Sequence, residues 1–199
     1  MSRSEGGINL KEKFAKVISI LTVVPIMALF TASWIYLYDS TVFNNEVKWY
    51  IASLVFLTFI PISAYGLKRI LPNYKNTKRD GERKLAFIMA VFGYITGLIT
   101  ALVFNAPQGV LIIFITYFIS GILLTFFNKF IKIKASGHAC GVAGPIVLIL
   151  YFIGIRAWFV VLLLPIVYWA RVAQKRHSYK ELIIGTLVGV LSGIVAIII

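Results

Sequence analysis

Between Lys84 and Lys129 the sequence carries no charged side chain, and the one break in this stretch is Asn105-Ala106-Pro107-Gln108-Gly109. Two successive apolar runs of this length admit few folds. A helix needs roughly 20 apolar residues to cross a hydrocarbon core of about 30 Å. Within lipid, only a helix or a closed barrel satisfies its own backbone polar groups. Apolar residues are 60% of the 199 and charged ones 14%, well below the roughly 25% of soluble domains. Most of this chain therefore cannot face water, and no polar segment is long enough to enclose these runs in a soluble shell.

Hydropathy along the whole chain places spans near 15–38, 49–71, 85–105, 108–127, 138–154, 157–172 and 181–199. The sixth is short and the third and fourth are barely separated, so the expectation is six to seven. The predicted fold class is an all-α, polytopic membrane helical bundle, with residues 1–199 forming a single integral membrane domain. The first run follows Lys11, Lys13 and Lys16, is too long for a signal-peptide core and has no small-residue cleavage site, so it reads as an uncleaved first span. Cys140 is the only cysteine, which excludes an internal disulfide. Gly185, Gly189 and Gly193 recur every fourth residue, as do Gly93 and Gly97, and predict close helix packing. Pro25, Pro61, Pro145 and Pro165 lie inside spans, where neighbouring helices can satisfy the carbonyls they free.

With seven spans the loops alternate sides, and the basic residues separate with them. One side holds 18 of the 20 Lys and Arg, in the N-terminal segment and in residues 68–84, 129–134 and 171–180; the other holds only Lys48 and Arg156. By the positive-inside rule the basic side is cytoplasmic, with the N-terminus inside and the C-terminus outside. Setting aside Arg83, Lys75 and Arg171 as candidate anion ligands leaves 15 against 2, so the expected orientation stands. The net charge of +13 is spread over juxtamembrane loops, which fits the headgroups of the bilayer rather than nucleic acid.

Three segments on that side hold nearly all the residues able to do chemistry: 74–84 (YKNTKRDGERK), 134–141 (KASGHACG) and 170–181 (ARVAQKRHSYKE). Two spans separate each from the next, so parity puts all three at one membrane face. The only histidines, His138 and His177, fall here, and Glu181 is the only carboxylate side chain after Glu82. A two-metal hydrolase centre needs more Asp, Glu and His ligands than these segments supply. No metal and no cofactor is expected.

Basic residues beside two imidazoles suit a phosphate ester. Arg pairs bidentately with phosphate oxygens, and a helix N-terminus offers amides to an anion. Ser136 and Gly137 stand where the fifth helix begins; Ser136 reads either as an ordinary N-cap or as a phosphate ligand, and Gly137 allows close approach to its amide. If the chain is helical after His177, Glu181 shares its face and can fix its tautomer, leaving the other ring nitrogen free to attack. Ser178 to Glu181 also reads as a capping box, S-x-x-E. Both readings stay open.

Together these segments resemble the type-2 phosphatidic acid phosphatase (PAP2) family, whose pattern is Lys-x6-Arg-Pro, then Pro-Ser-Gly-His, then Ser-Arg-x5-His-x3-Asp. Ala135-Ser136-Gly137-His138 is similar to the second motif. Ala170-Arg171, five residues, His177, three residues and Glu181 is similar to the third. The resemblance covers residues 75–195. Ala135 and Ala170 replace Pro and Ser, and Glu181 replaces Asp with one more methylene. The first motif departs furthest: Arg83 is followed by Lys84, and Asn76 stands seven residues before Arg83, leaving Lys75, Lys78 or Arg79 for the basic role.

The resemblance implies a PAP2-like helical core and metal-independent hydrolysis of a lipid phosphate, monoester or diphosphate, phosphatidate-like or isoprenoid. By position, His177 attacks phosphorus oriented by Glu181, and His138 protonates the leaving oxygen. Arg83, Ser136, Gly137, Arg171, Lys75 and Arg79 are the implied phosphate-binding residues. A phosphotransferase using the same site, an anion transporter and a pseudoenzyme are the alternatives. The spans hold almost no ionisable residue and no repeat is visible, which disfavours transport.

Overall fold

The computed structural model describes residues 10–75, 77 and 79–199, without the side chains of Arg79 and Asp80. No strand occurs among the described residues. Eight principal helices follow in order: α1 (Leu10–Leu21), α2 (Val24–Tyr38), α3 (Val47–Ile70), α4 (Arg79–Val103), α5 (Gln108–Phe130), α6 (Gly137–Ile153), α7 (Ile155–Ala173) and α8 (Tyr179–Ile198). Five of them, α3, α4, α5, α7 and α8, are long and apolar enough to cross a membrane, and the bent pair α1–α2 makes six if counted as one. The chain is thus all-helical and consistent with a multi-pass membrane protein. The stretch 104–107 does divide two helices, α4 and α5, with Asn105 in the left-handed region at φ 51°.

The expected first span, 15–38, is instead broken. Val23 is extended (φ −67°, ψ 146°), and α1 and α2 meet at 59°. Pro25 explains the break. Inside a continuous helix its ring would meet the carbonyl of Leu21, whereas in the first turn of a new helix its missing N–H costs nothing. On α1, Ala15 and Ser19 face inward, while Leu10, Phe14, Val17 and Leu21 line the opposite, exposed side. This spacing of four, three and four is one stripe of an amphipathic helix.

Helix α6 is the hub. Its 17 residues rise only about 25 Å at ~1.5 Å each, and 11 of them are buried by neighbouring helices. Helix α8 packs along it through the predicted glycine face. A Cβ on Gly185 would lie 2.3 Å from the Ser136 carbonyl oxygen, and one on Gly189 would lie 2.6 Å from that of Cys140. The same device joins α4 to α3. A Cβ on Gly93 would sit 2.3 Å from the carbonyl oxygen of Phe56, in a π-helical turn at Val55–Phe59 that precedes Pro61. Between α6 and α7 the chain reverses at Gly154, whose φ of 84° suits only glycine.

Candidate functional site

The segment before α6, the end of α7 and the start of α8 meet through backbone as well as side chains. Ser136 caps α6: its hydroxyl accepts from the Ala139 N–H at 3.4 Å, and its own N–H donates to the Glu181 carbonyl at 3.0 Å. This ties the first turns of α6 and α8 together, which the glycine at 185 makes sterically possible. Ser136 is fully buried and is not among the residues lining the cleft described below, whereas Gly137 is.

Glu181 carries out both of the roles that the sequence left open. Its Oε2 accepts from His177 Nδ1 at 2.8 Å and from the Ser178 N–H at 3.1 Å, while Ser178 Oγ accepts from the Glu181 N–H at 3.4 Å. The capping box is therefore complete. The extra methylene of Glu over Asp lets one oxygen lie between the cap amide and the imidazole. With Nδ1–H donating to a carboxylate, the neutral ring of His177 has its lone pair on Nε2. Burial of His177 holds its pKa below the ordinary value; the hydrogen bond it donates to Glu181 works against this, and the Arg171 guanidinium works with it.

A cleft of about 680 Å³ opens at this end of the bundle. Of the expected site residues, Arg83, Gly137, His138, Arg171 and His177 line it, joined by Lys129 from the last turn of α5 and by Lys132 and Lys134 from the loop that precedes α6. Among the described residues no carboxylate lines it, since Glu181 lies behind His177 and Glu82 is paired with Lys68 at 2.7 Å. Five cationic side chains and two imidazoles thus face one cavity, a strongly anion-attracting arrangement. Helix α6 adds the positive end of its dipole at Gly137.

Two expectations for the first basic segment fare differently. Lys75 sits exposed in the short turn Pro72–Lys75 and does not line the cleft. Arg79, through its side chain, and Lys78 lie outside the described residues. Among the described residues of this segment, Arg83 lines the cleft, because the first turns of α4 carry it there.

The structure adds residues from α1. The Ser19 carbonyl accepts from His138 Nε2 at 3.0 Å, and the Ser19 hydroxyl accepts from Arg171 Nη1 at 3.3 Å and from Gln174 Nε2 at 2.6 Å. Gln174 Nε2 also reaches the Ala15 carbonyl at 2.6 Å. A carbonyl can only accept, so His138 carries a proton on Nε2 and its Nδ1 is left for other partners. One residue of α1 thus holds two of the expected site residues, 119 and 152 positions away. Nothing in the local sequence marks Ser19, which lies within the run read as a first span. Gln174 and Lys134 had a visible signal, since both fall inside the segments singled out above.

Among the described residues no three His, Cys, Asp or Glu side chains are grouped as a metal site. Comparison of this chain with family models, with curated proteins and with solved structures gives no match.

Proposed function

We propose that this chain hydrolyses the phosphate ester of a membrane lipid through a phosphohistidine formed on His177. The observation that carries the proposal is the cleft itself: His177, held on one side by Glu181, faces five cations and a second histidine in a cavity that no carboxylate lines among the described residues. That arrangement suits a group that is anionic and becomes more so at its leaving oxygen. The likeness of residues 135–138 and 170–181 to PAP2 motifs points the same way.

In this reading the phosphoryl oxygens lie among Arg83, Arg171, Lys134 and the first turn of α6. The Nε2 lone pair of neutral His177 attacks phosphorus, and the bond from phosphorus to the lipid oxygen breaks. The leaving oxygen takes a proton from His138, whose cationic form a bound phosphate dianion favours. The phosphorylated His177 ring is cationic, and Glu181 stabilises it through Nδ1–H. Water then attacks phosphorus, the P–N bond breaks, and a proton of that water returns to His138. Inorganic phosphate leaves and His177 is neutral again. Ser136 acts through the cap that holds Gly137 and His138 in place, and Ser19 through its bonds to His138 and Arg171.

The excess of Lys and Arg in the segments at this end supports a cytoplasmic site by the positive-inside rule, and in this reading the substrate is a lipid phosphate presented at the inner leaflet. The test is phosphate release from lipid mono- and diphosphates by protein reconstituted in lipid nanodiscs, in the presence of EDTA. Release that persists with EDTA and is lost in His177→Ala and His138→Ala supports the proposal. Release unaffected by His177→Ala overturns it.

A further inference from the structure

Behind the cationic cleft lies a second cavity of about 230 Å³, and the two share the wall formed by Arg83, Phe87, Leu124, Gly137 and His138. The inner cavity is a chamber within the bundle, bounded by the start of α2 and by α3, α4, α5 and α6. Its mouth is at Glu82 on α4, Leu124 on α5 and Gly137 on α6; its inner end is at Tyr94, Thr116 and Pro145. At ~1.5 Å per helical residue it is roughly 12 Å deep along α5 and α6 and roughly 18 Å along α4. The walls between mouth and inner end are mainly small or apolar, such as Ala86, Ala90, Gly141 and Gly144.

The dimensions decide what fits. At roughly 30 Å³ for a water-sized group, which is also about the size of a methylene, the chamber takes roughly eight such groups. Eight groups over that depth stand in single file. One hydrocarbon chain fits this shape and two side by side do not. A tail already dissolved in the bilayer gains little from moving into a second apolar place. The chamber therefore selects by shape rather than by affinity.

We propose that the chamber holds the hydrocarbon tail of the substrate, and that the substrate is a single-chain lipid phosphate rather than a two-chain one. The proposal deepens the phosphatase reading and rests on it for the position of the headgroup. The phosphate sits in the cationic cleft, the ester oxygen passes His138 at the shared wall, and the first eight or so carbons run inward past Ala86 and Ala90. A groove of about 410 Å³ lined by Val91, Ile95 and Phe126 lies on the other side of Tyr94 and Gly121, which form the wall between it and the chamber.

The test uses the full chain in nanodiscs, because a detergent is itself a single-chain amphiphile and would fill the chamber. Three phosphomonoesters are compared: decyl phosphate, dioctanoylglycerol phosphate and the chain-free p-nitrophenyl phosphate. The expected kcat/KM for decyl phosphate exceeds that for dioctanoylglycerol phosphate by tenfold or more. Ala90→Phe, which fills the chamber away from the catalytic residues, lowers decyl phosphate turnover at least tenfold and leaves p-nitrophenyl phosphate turnover within twofold of wild type. Ala86→Leu is the milder second variant should Ala90→Phe not fold. Equal turnover of the one- and two-chain esters, or decyl phosphate turnover unchanged in a folded variant, overturns the proposal. A binding arm separates it from the phosphatase reading. If none of the three esters is cleaved, the phosphatase reading fails. The chamber is then decided by whether decyl phosphate raises the Tm of wild type but not of Ala90→Phe, an equal rise in both overturning it.

Discussion

Replacing Glu181 in graded steps separates its two roles, because both of its accepted hydrogen bonds end on the same oxygen, Oε2. In Glu181→Gln an amide oxygen can take the place of Oε2, and Gln serves as well as Glu at the third position of a capping box. The helix start is therefore retained and the charge alone is lost. A hydrogen bond to a charged group contributes about 1.5–3 kcal/mol, and a neutral one about half as much. The transition state, in which the His177 ring becomes cationic, loses about 1–1.5 kcal/mol, or roughly five- to twelvefold in rate at ~1.36 kcal/mol per decade. Glu181→Ala removes the whole bond, leaves a buried Nδ1–H unpaired and slows the reaction roughly 10- to 150-fold. It also weakens the cap by about 1 kcal/mol.

The assay is kcat/KM for phosphate release against pH, with Tm measured on the same samples. His177 must be neutral to attack, and its pKa is held below the ordinary value of 6.5, so the acid limb of the wild-type profile lies below pH 6.5. Glu181 pulls that pKa upward through its hydrogen bond and charge, so Glu181→Gln moves the acid limb to still lower pH while the plateau falls. A cap with no catalytic part would leave limb and plateau unchanged in Glu181→Gln and lower only Tm in Glu181→Ala. An unchanged limb and plateau in Glu181→Gln, or a rate that only follows the folded fraction, would refute the reasoning.

Further outcomes follow from the same contacts. Ser19→Ala removes the hydroxyl that accepts from Arg171 and Gln174 but keeps the carbonyl that binds His138; a loss of about 1.5 kcal/mol, roughly tenfold in kcat/KM, is expected, and wild-type activity would show that the Ser19 hydroxyl has no part in positioning Arg171. Because the folded pKa of His177 is depressed, Tm is expected to be flat above about pH 6.5 and to fall as the pH drops below it, where the unfolded chain binds a proton the folded one resists; in His177→Gln this part of the slope disappears. Gly185→Ala puts a Cβ 2.3 Å from the Ser136 carbonyl oxygen and is expected to cost about 1–3 kcal/mol, seen as a lower Tm. Gly66→Ala, where nothing lies within 4 Å, is the matching control with no loss.

Periodicity and spacing carried much of the fold and part of the site. Helix positions after residue 47 follow from apolar run length, and the contacts of Gly93, Gly185 and Gly189 follow from their small size at fourfold spacing. The His177–Glu181 pairing was legible from spacing, but its geometry is not that of one helix face: His177 precedes α8, and the capping box at Ser178 turns the Glu181 carboxylate back to meet it. What was not legible depends on contacts between distant parts of the chain. Ser136 was read as facing a ligand or the helix, and it faces the helix because the Glu181 carbonyl draws its backbone inward. Lys75 was placed at the site by a motif that aligns poorly, and the short turn at 72–75 leaves it exposed outside. The first span was read as continuous, although Pro25 and the stripe of Leu10, Phe14, Val17 and Leu21 beside Lys11, Lys13 and Lys16 together signal an amphipathic helix followed by a break. Apolar length alone cannot distinguish a helix lying on the bundle from one running through it. No sequence pattern announces a chamber, which is the space left over when five helices pack with small residues facing one another.

The most direct test of the central claim is to look for the phosphoryl group on the protein. Nanodisc-reconstituted protein would be mixed with a single-chain lipid phosphate carrying radiolabelled phosphorus, quenched within milliseconds in base and digested for mass spectrometry. A base-stable, acid-labile label on His177 that appears before free phosphate, decays as phosphate is released and is absent in His177→Ala is the predicted result. Phosphate released in a burst with no label on His177, or with the label on another residue, would contradict the account.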